Sequence, residues 1–162
     1  MKNSSLADIF TKLEKQKSEL VKRLVSFVVT DTILFLEESL EAKKSLQQAN
    51  ELLKTNFVMN KGLEVSKKNI SQVPAVEDYL KKSLAKKVAY IYLAATEIRS
   101  VLLAILLAEG KTGKEEAFDC AFFEELTEQK KWGTMPESLQ RQQAIKNRLD
   151  ELNRFMNEGS LS

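Results

Sequence analysis

Residues 88–108 read VAYIYLAATEIRSVLLAILLA, and the way this run is buried decides the fold. It is long and apolar enough to resemble a membrane span, for which roughly 20 apolar residues suffice. Glu97 and Arg99 fall at its middle, however, where each charge is costly in hydrocarbon. The run is therefore read as a central helix, buried on most sides by neighbouring helices and not inserted in a membrane. It ends near Glu109-Gly110, with Gly110 as the terminating glycine. Glu97 and Arg99 stand two residues apart and so point to different sides of a helix. Each must find a separate partner or snorkel its charged end to water.

A helix apolar nearly all round requires others to cover it, and the rest of the chain supplies them. Leu6, Ile9, Phe10 and Leu13 recur at helical spacing behind possible caps at Asn3, Ser4 and Ser5. Leu20, Leu24, Phe27 and Val28 continue the stripe. Thr30-Asp31 interrupts it, and either residue can cap the next turn, Ile33 to Leu36, which is dense enough to be buried. Ser39 to Lys54 is a more polar helix with Leu40, Leu46, Ala49, Leu52 and Leu53 inward. Phe57 to Val65 reads as an extended connection around Gly62. Ser71 to Pro74 opens a helix lined by Val76, Tyr79, Leu80 and Leu84, and a bend near Ala85 to Lys87 leads into the central run.

Beyond it, a helix from Thr112 or Gly113 carries Ala117, Phe118, Ala121, Phe122 and Leu126 as far as Trp132-Gly133. Pro136 suits the first turn of a last helix carrying Leu139, Ala144, Ile145, Leu149, Leu152 and Phe155, with a frayed end at Glu158-Gly159-Ser160. Only 5 Gly and 2 Pro punctuate 162 residues, too few breakers for many short strands. The expectation is one all-α domain over residues 1–162, an orthogonal bundle of about six to seven helices with one buried central helix.

The chemical inventory excludes most enzymes. There is no His, so His-based triads, His-assisted thiols and His-ligated metal sites are absent. Cys120 is the single cysteine, has apolar neighbours, and reads as a packing residue in a reducing compartment. Gly110-Lys111-Thr112 lacks the upstream glycine of a phosphate loop. A net charge of +2 gives no support for a nucleic-acid partner. The N-terminus lacks the long apolar core of a secretion signal. Glu124, Glu125 and Glu128 lack an evident facing set with which to hold a metal. No pair of acids demands a carboxylate-only catalytic site. The chain thus reads as a non-enzymatic binding domain without cofactor, metal or small-molecule substrate.

One ordered series narrows that reading. Ser100 to Gly110 is a small–Ser–aliphatic run closing on Ala108-Glu109-Gly110; Glu115-Glu116-Ala117-Phe118 follows, and an acidic helix then ends at Trp132-Gly133. In this order and spacing the series resembles the C-terminal helical domain of the assembly chaperones for the alpha subunit of the F-type ATP synthase. Thr30-Asp31 resembles that family's Thr-Asp-Leu-Leu element, and Gly62 falls where the family has a glycine in an extended segment. The likeness covers roughly residues 6–156. Lys130 stands where the family commonly has Glu, and the family's small β-rich N-terminal domain is expected to be missing.

The resemblance implies a protein that covers the apolar surface of an unassembled alpha subunit until beta replaces it, in the bacterial cytoplasm or the mitochondrial matrix. The candidate partner-binding residues are Trp132, Gly133, Glu124, Glu125, Glu128 and Lys130. Two readings of Trp132 stand side by side. It either packs one helix end against the next, with Gly133 as cap, or contacts the client as Trp often does at interfaces. A generic helical interaction module without ATP synthase specificity is the alternative function.

Overall fold

The computed structural model describes residues 2–161, and the side chains of residues 6–158. The described residues form nine α-helices and no strand. These are α1 (Lys2–Glu14), α2 (Lys17–Phe27), α3 (Leu40–Leu53), α4 (Lys67–Lys82), α5 (Ala85–Ile98), α6 (Val101–Ala108), α7 (Lys114–Ala121), α8 (Phe123–Trp132) and α9 (Pro136–Leu161). Two 3-10 turns, Val28–Thr30 and Thr32–Phe35, link α2 to the segment before α3. The all-α expectation is met. The helix count is higher than the sequence suggested because runs that read as continuous break at Lys15-Gln16, at Arg99-Ser100 and at Phe122.

The break at Arg99 corrects the reading of the central run as one helix. Arg99 takes the left-handed conformation (φ 58°) and Ser100 is extended (φ −145°), so α5 and α6 are separate. Every residue from Val101 to Leu107 is buried. A helix start placed in such surroundings leaves its first N–H groups without water, so the protein must satisfy them. Ser100 Oγ accepts from the Leu103 N–H at 3.0 Å and donates to Asp31 Oδ1 at 2.6 Å. Asp31 Oδ2 accepts from the Leu102 N–H at 2.9 Å. Asp31 Oδ1 also accepts from the Ile33 N–H at 3.1 Å, capping the second 3-10 turn as expected of Thr30 or Asp31. Next to it, the Thr32 hydroxyl and N–H both donate to the Arg99 carbonyl, at 2.7 and 3.4 Å. One buried carboxylate therefore joins two helical starts.

Other boundaries follow local chemistry. α6 ends as expected at Gly110 (φ 71°), where the Lys111 N–H reaches the Leu106 carbonyl at 2.8 Å and the Gly110 N–H the Leu107 carbonyl at 3.1 Å. Phe57 to Val65 is non-helical around Gly62, also as expected. α4 starts earlier than Ser71 to Pro74: Ser66 caps it by accepting from the Lys68 N–H at 3.2 Å, leaving Pro74 in the helix interior with no N–H to donate. α1 begins at Lys2, so Asn3, Ser4 and Ser5 lie within the helix and not before it; their side chains fall outside those described. α9 continues through Glu158, Gly159 and Ser160, where fraying was expected.

The core gathers around α6. Phe10, Leu20, Leu24, Ile33, Leu34, Leu46, Leu80, Ile91, Phe118 and Leu149 are all buried. α9 closes the bundle through Ile145, Leu149 and Leu152, and its Phe155 ring stacks on Phe10 at 4.4 Å. Glu97 does find a partner of its own, Arg148 of α9, at 2.6 Å, while the Arg99 side chain is exposed. Cys120 is buried as expected, and burial pushes its thiol up to about 11.

Several residues read as inward are instead exposed: Ile9, Phe27, Leu40, Leu84 and Leu139. Four of these sit at or near helix ends, where the covering neighbour stops. Phe27 closes α2, Leu40 opens α3, Leu84 lies in the connection before α5, and Leu139 is on the first turn of α9. In α3 the inward line is Ala42, Leu46, Ala49 and Leu53, and Leu40 falls off it.

Removing the Asp31 carboxylate leaves buried donors at two helix starts. Asp31→Ala should cost about 2–4 kcal/mol, the sum of a lost cap and unpaired buried N–H groups. The pH dependence carries a definite sign. Burial raises the Asp31 carboxyl from 3.8 to about 6, against the lowering effect of its Leu102, Ser100 and Ile33 donors. A folded value above the unfolded one gives a contribution fully present below about pH 4 and lost as pH rises through about 6. Urea unfolding at these two pH values should show the unaltered chain losing stability relative to Asp31→Asn, whose amide does not titrate. An unchanged gap would disprove the assignment.

Candidate protein interface

α7 and α8 are divided by Phe122, whose ring stacks on Phe118 at 4.6 Å and anchors the junction. Beyond that anchor the contact with the body thins to the partly buried Phe123 and Leu126, which pack against the core. α8 has no buried residue. A cleft of about 850 Å³ separates its inner side from α3 and α7, lined by Lys44, Ser45 and Gln48 opposite Phe123, Leu126 and Lys130. Glu124 and Glu125 in the first turn and Lys130 and Lys131 in the last complement the helix dipole. That charge pattern helps α8 to persist with little packing.

The structure sorts the sequence-predicted residues into two groups. Glu124, Glu128 and Trp132 are all exposed and recur every fourth residue, forming one outward stripe on α8. Trp132 is 84% exposed, which overturns the reading in which its ring packs one helix end against the next. Glu125 belongs to a different group. Its carboxylate accepts from the Arg141 guanidinium and, at 3.2 Å, from Gln142 Nε2, tying α8 to α9. Lys130 is exposed at the cleft, away from the stripe.

Gly133 ends α8 as expected, its N–H reaching the Gln129 carbonyl at 2.9 Å. Its backbone (φ 85°, ψ 173°) lies in a region open essentially to glycine alone.

Sequence reasoning missed two exposed apolar residues that follow the stripe in the chain. Met135 is 65% exposed and Leu139 is 54% exposed, so three large apolar side chains lie open between positions 132 and 139. Leu139 matched the core period of α9, but the first turn of that helix extends past the elements that would cover it. The available signal was the Met-Pro pair directly after Trp132-Gly133-Thr134. Among the described residues no group of three His, Cys, Asp or Glu could hold a metal, and no helix is long and apolar enough to cross a membrane. The arrangement is suited to binding another protein through an apolar edge flanked by acids.

If Trp132 has no packing role, Trp132→Ala should leave stability within about 0.5 kcal/mol of the original. Gly133→Ala should cost about 1–3 kcal/mol through backbone strain alone, since an added Cβ meets no atom within 4 Å. Chemical denaturation of the two variants checks both values, and a large loss from Trp132→Ala would contradict the exposed placement.

No protein-family profile matches the sequence, and no curated protein matches it in sequence. Solved structures do match in fold. One is Atp12 from Paracoccus denitrificans, with a TM-score of 0.81 and 13% identity over 91% of this chain and 67% of that one. Another is the Atu1473 protein from Agrobacterium tumefaciens, a candidate chaperone, with a TM-score of 0.72 and 20% identity over 85% of this chain and 55% of that one. The chain thus has the fold of both proteins across most of its own length, spanning about two thirds of the first and about half of the second.

Proposed function

We propose that this chain is an assembly chaperone of the Atp12 kind. It binds the unassembled alpha subunit of the F-type ATP synthase and shields its apolar interface until beta associates. Two independent likenesses support the reading. One is the ordered series Ala108-Glu109-Gly110, Glu115-Glu116-Ala117 and Trp132-Gly133; the other is the shared fold with Atp12. The observation that carries it is an exposed tryptophan at the end of a helix that has no fully buried residue and meets the core only through the partly buried Phe123 and Leu126.

A shielding protein must offer apolar surface without using that surface in its own core. α8 achieves this by packing on the bundle only along its inner side, through Phe123 and Leu126, which leaves its outer face and Trp132 free. Trp132, with the exposed Met135 and Leu139 following it in the chain, supplies apolar surface, and Glu124 and Glu128 set a charge pattern that favours a client surface with basic residues at its rim. The work requires no nucleotide, metal or bond-breaking step. It belongs where alpha is made or imported, the bacterial cytoplasm or the mitochondrial matrix.

Co-expression with the organism's own alpha and beta subunits tests the role. Alpha should be retained selectively. Trp132→Ala should weaken that retention by roughly 30-fold or more, as expected for loss of a central interface anchor of about 2 kcal/mol. Failure to retain alpha, or equal retention of beta, would sink the assignment.

A further inference from the structure

A second exposed apolar feature lies where α2, α5 and α6 meet. A groove of about 460 Å³ is lined by Phe27, Tyr92, Ala95 and Val101, with Thr96 and Ser100 among its polar lining. Phe27, one of its lining residues, is 61% exposed. No acidic residue lines the groove, yet it carries Arg99. Asp31 lies beneath the same junction, but it is buried and engaged by its three donors.

Arg99 is unusual in two ways. Its backbone is left-handed (φ 58°), a conformation that glycine adopts without strain, so Arg is held there at some cost. Its exposed guanidinium forms no ion pair among the described residues, whereas the nearby Glu97 is taken by Arg148. Arg99 and Thr32 also line a second cleft of about 330 Å³, together with Phe122, Glu124, Glu125 and Arg141. The groove is thus continuous, across Arg99, with the foot of the α8 stripe.

We propose that this groove is a second docking point for the client, resting on the chaperone reading above. It takes an aliphatic or aromatic side chain of the client against Phe27, with a neighbouring client carboxylate on Arg99. Charge complementarity fixes the occupant's chemistry: on the Phe27 side Arg99 meets no acid, and on its other side the cleft holds Glu124 and the Glu125–Arg141 pair, so an apolar residue with an Asp or Glu beside it suits the Phe27 groove. Its continuity with the Glu124 side of α8 lets one client surface reach both points. Two joined contacts raise the retention that either gives alone.

The test measures binding of the alpha subunit to the full chain and to four variants. Phe27→Ala removes an exposed ring, and Arg99→Gly relieves the backbone, so both should unfold no earlier than the original. Each should nevertheless weaken alpha binding about 10-fold or more. Arg99→Lys keeps the cation and should bind within about 3-fold of the original. Leu63→Ala, at a 94% exposed residue on the Phe57–Val65 connection, should change nothing. If Phe27→Ala and Arg99→Gly bind alpha like the original, the second docking point is overturned and the chaperone role stands. If Arg99→Lys is as weak as Arg99→Gly, the carboxylate contact is overturned. If the unaltered chain does not bind alpha, both readings fall together.

Discussion

A carboxylate without water organises this bundle. Asp31 is buried among apolar side chains, and its oxygens receive donors from the second 3-10 turn and from the start of α6. Without it the Ile33 and Leu102 N–H groups would be left unpaired in the core, because the first N–H groups of a helix have no partner within it. The core thereby accepts a helix of eight residues that is apolar on every side. α6 has no polar face to direct outward, so the surrounding helices are placed by the need to cover it. The same contact fixes the α5–α6 break, which in turn sets Arg99 on the surface and shapes the groove beside Phe27.

Much of this was legible in the residues, for physical reasons that differ from place to place. Glu97 and Arg99 ruled out lipid around an otherwise membrane-like run. Gly110 and Gly133 marked helix ends because their backbone conformations exclude most other residues. Asp31 was recognised as a local cap, since Ile33 lies two residues away, but its partner Ser100 lies 69 positions along the chain. No local spacing reveals that contact, and without it the run from Val88 to Ala108 reads as one helix. Pro74 misled in the opposite direction. Its preference for a first turn is strong, but the cap at Ser66 starts the helix sooner and the bundle tolerates the lost hydrogen bond. Periodicity likewise placed Leu40, Leu84 and Leu139 inward, because it cannot see where a covering helix stops.

The candidate interface was legible as residue types and illegible as geometry. Trp132, Glu124 and Glu128 share a stripe because α8 is a helix, and that much follows from spacing. Glu125 looked equivalent to Glu124 in sequence, yet one residue of rotation turns it to Arg141 and makes it a brace. The choice between a packing and an exposed Trp132 depended on whether α8 touches the body along its length, a property of the whole bundle.

The lack of any buried residue on α8 also separates two kinds of constraint that most helices must satisfy together. In α6, a change that alters contact with a neighbour also alters the stability of the whole domain. On the outer stripe of α8, side chains can be exchanged with little penalty to the fold while the scaffold stays fixed. Lys130 at the cleft and Met135 after the terminal glycine occupy positions with the same freedom. α8 thus divides its labour by face, with Phe123, Leu126 and Glu125 tied to the bundle and the outer stripe free to vary.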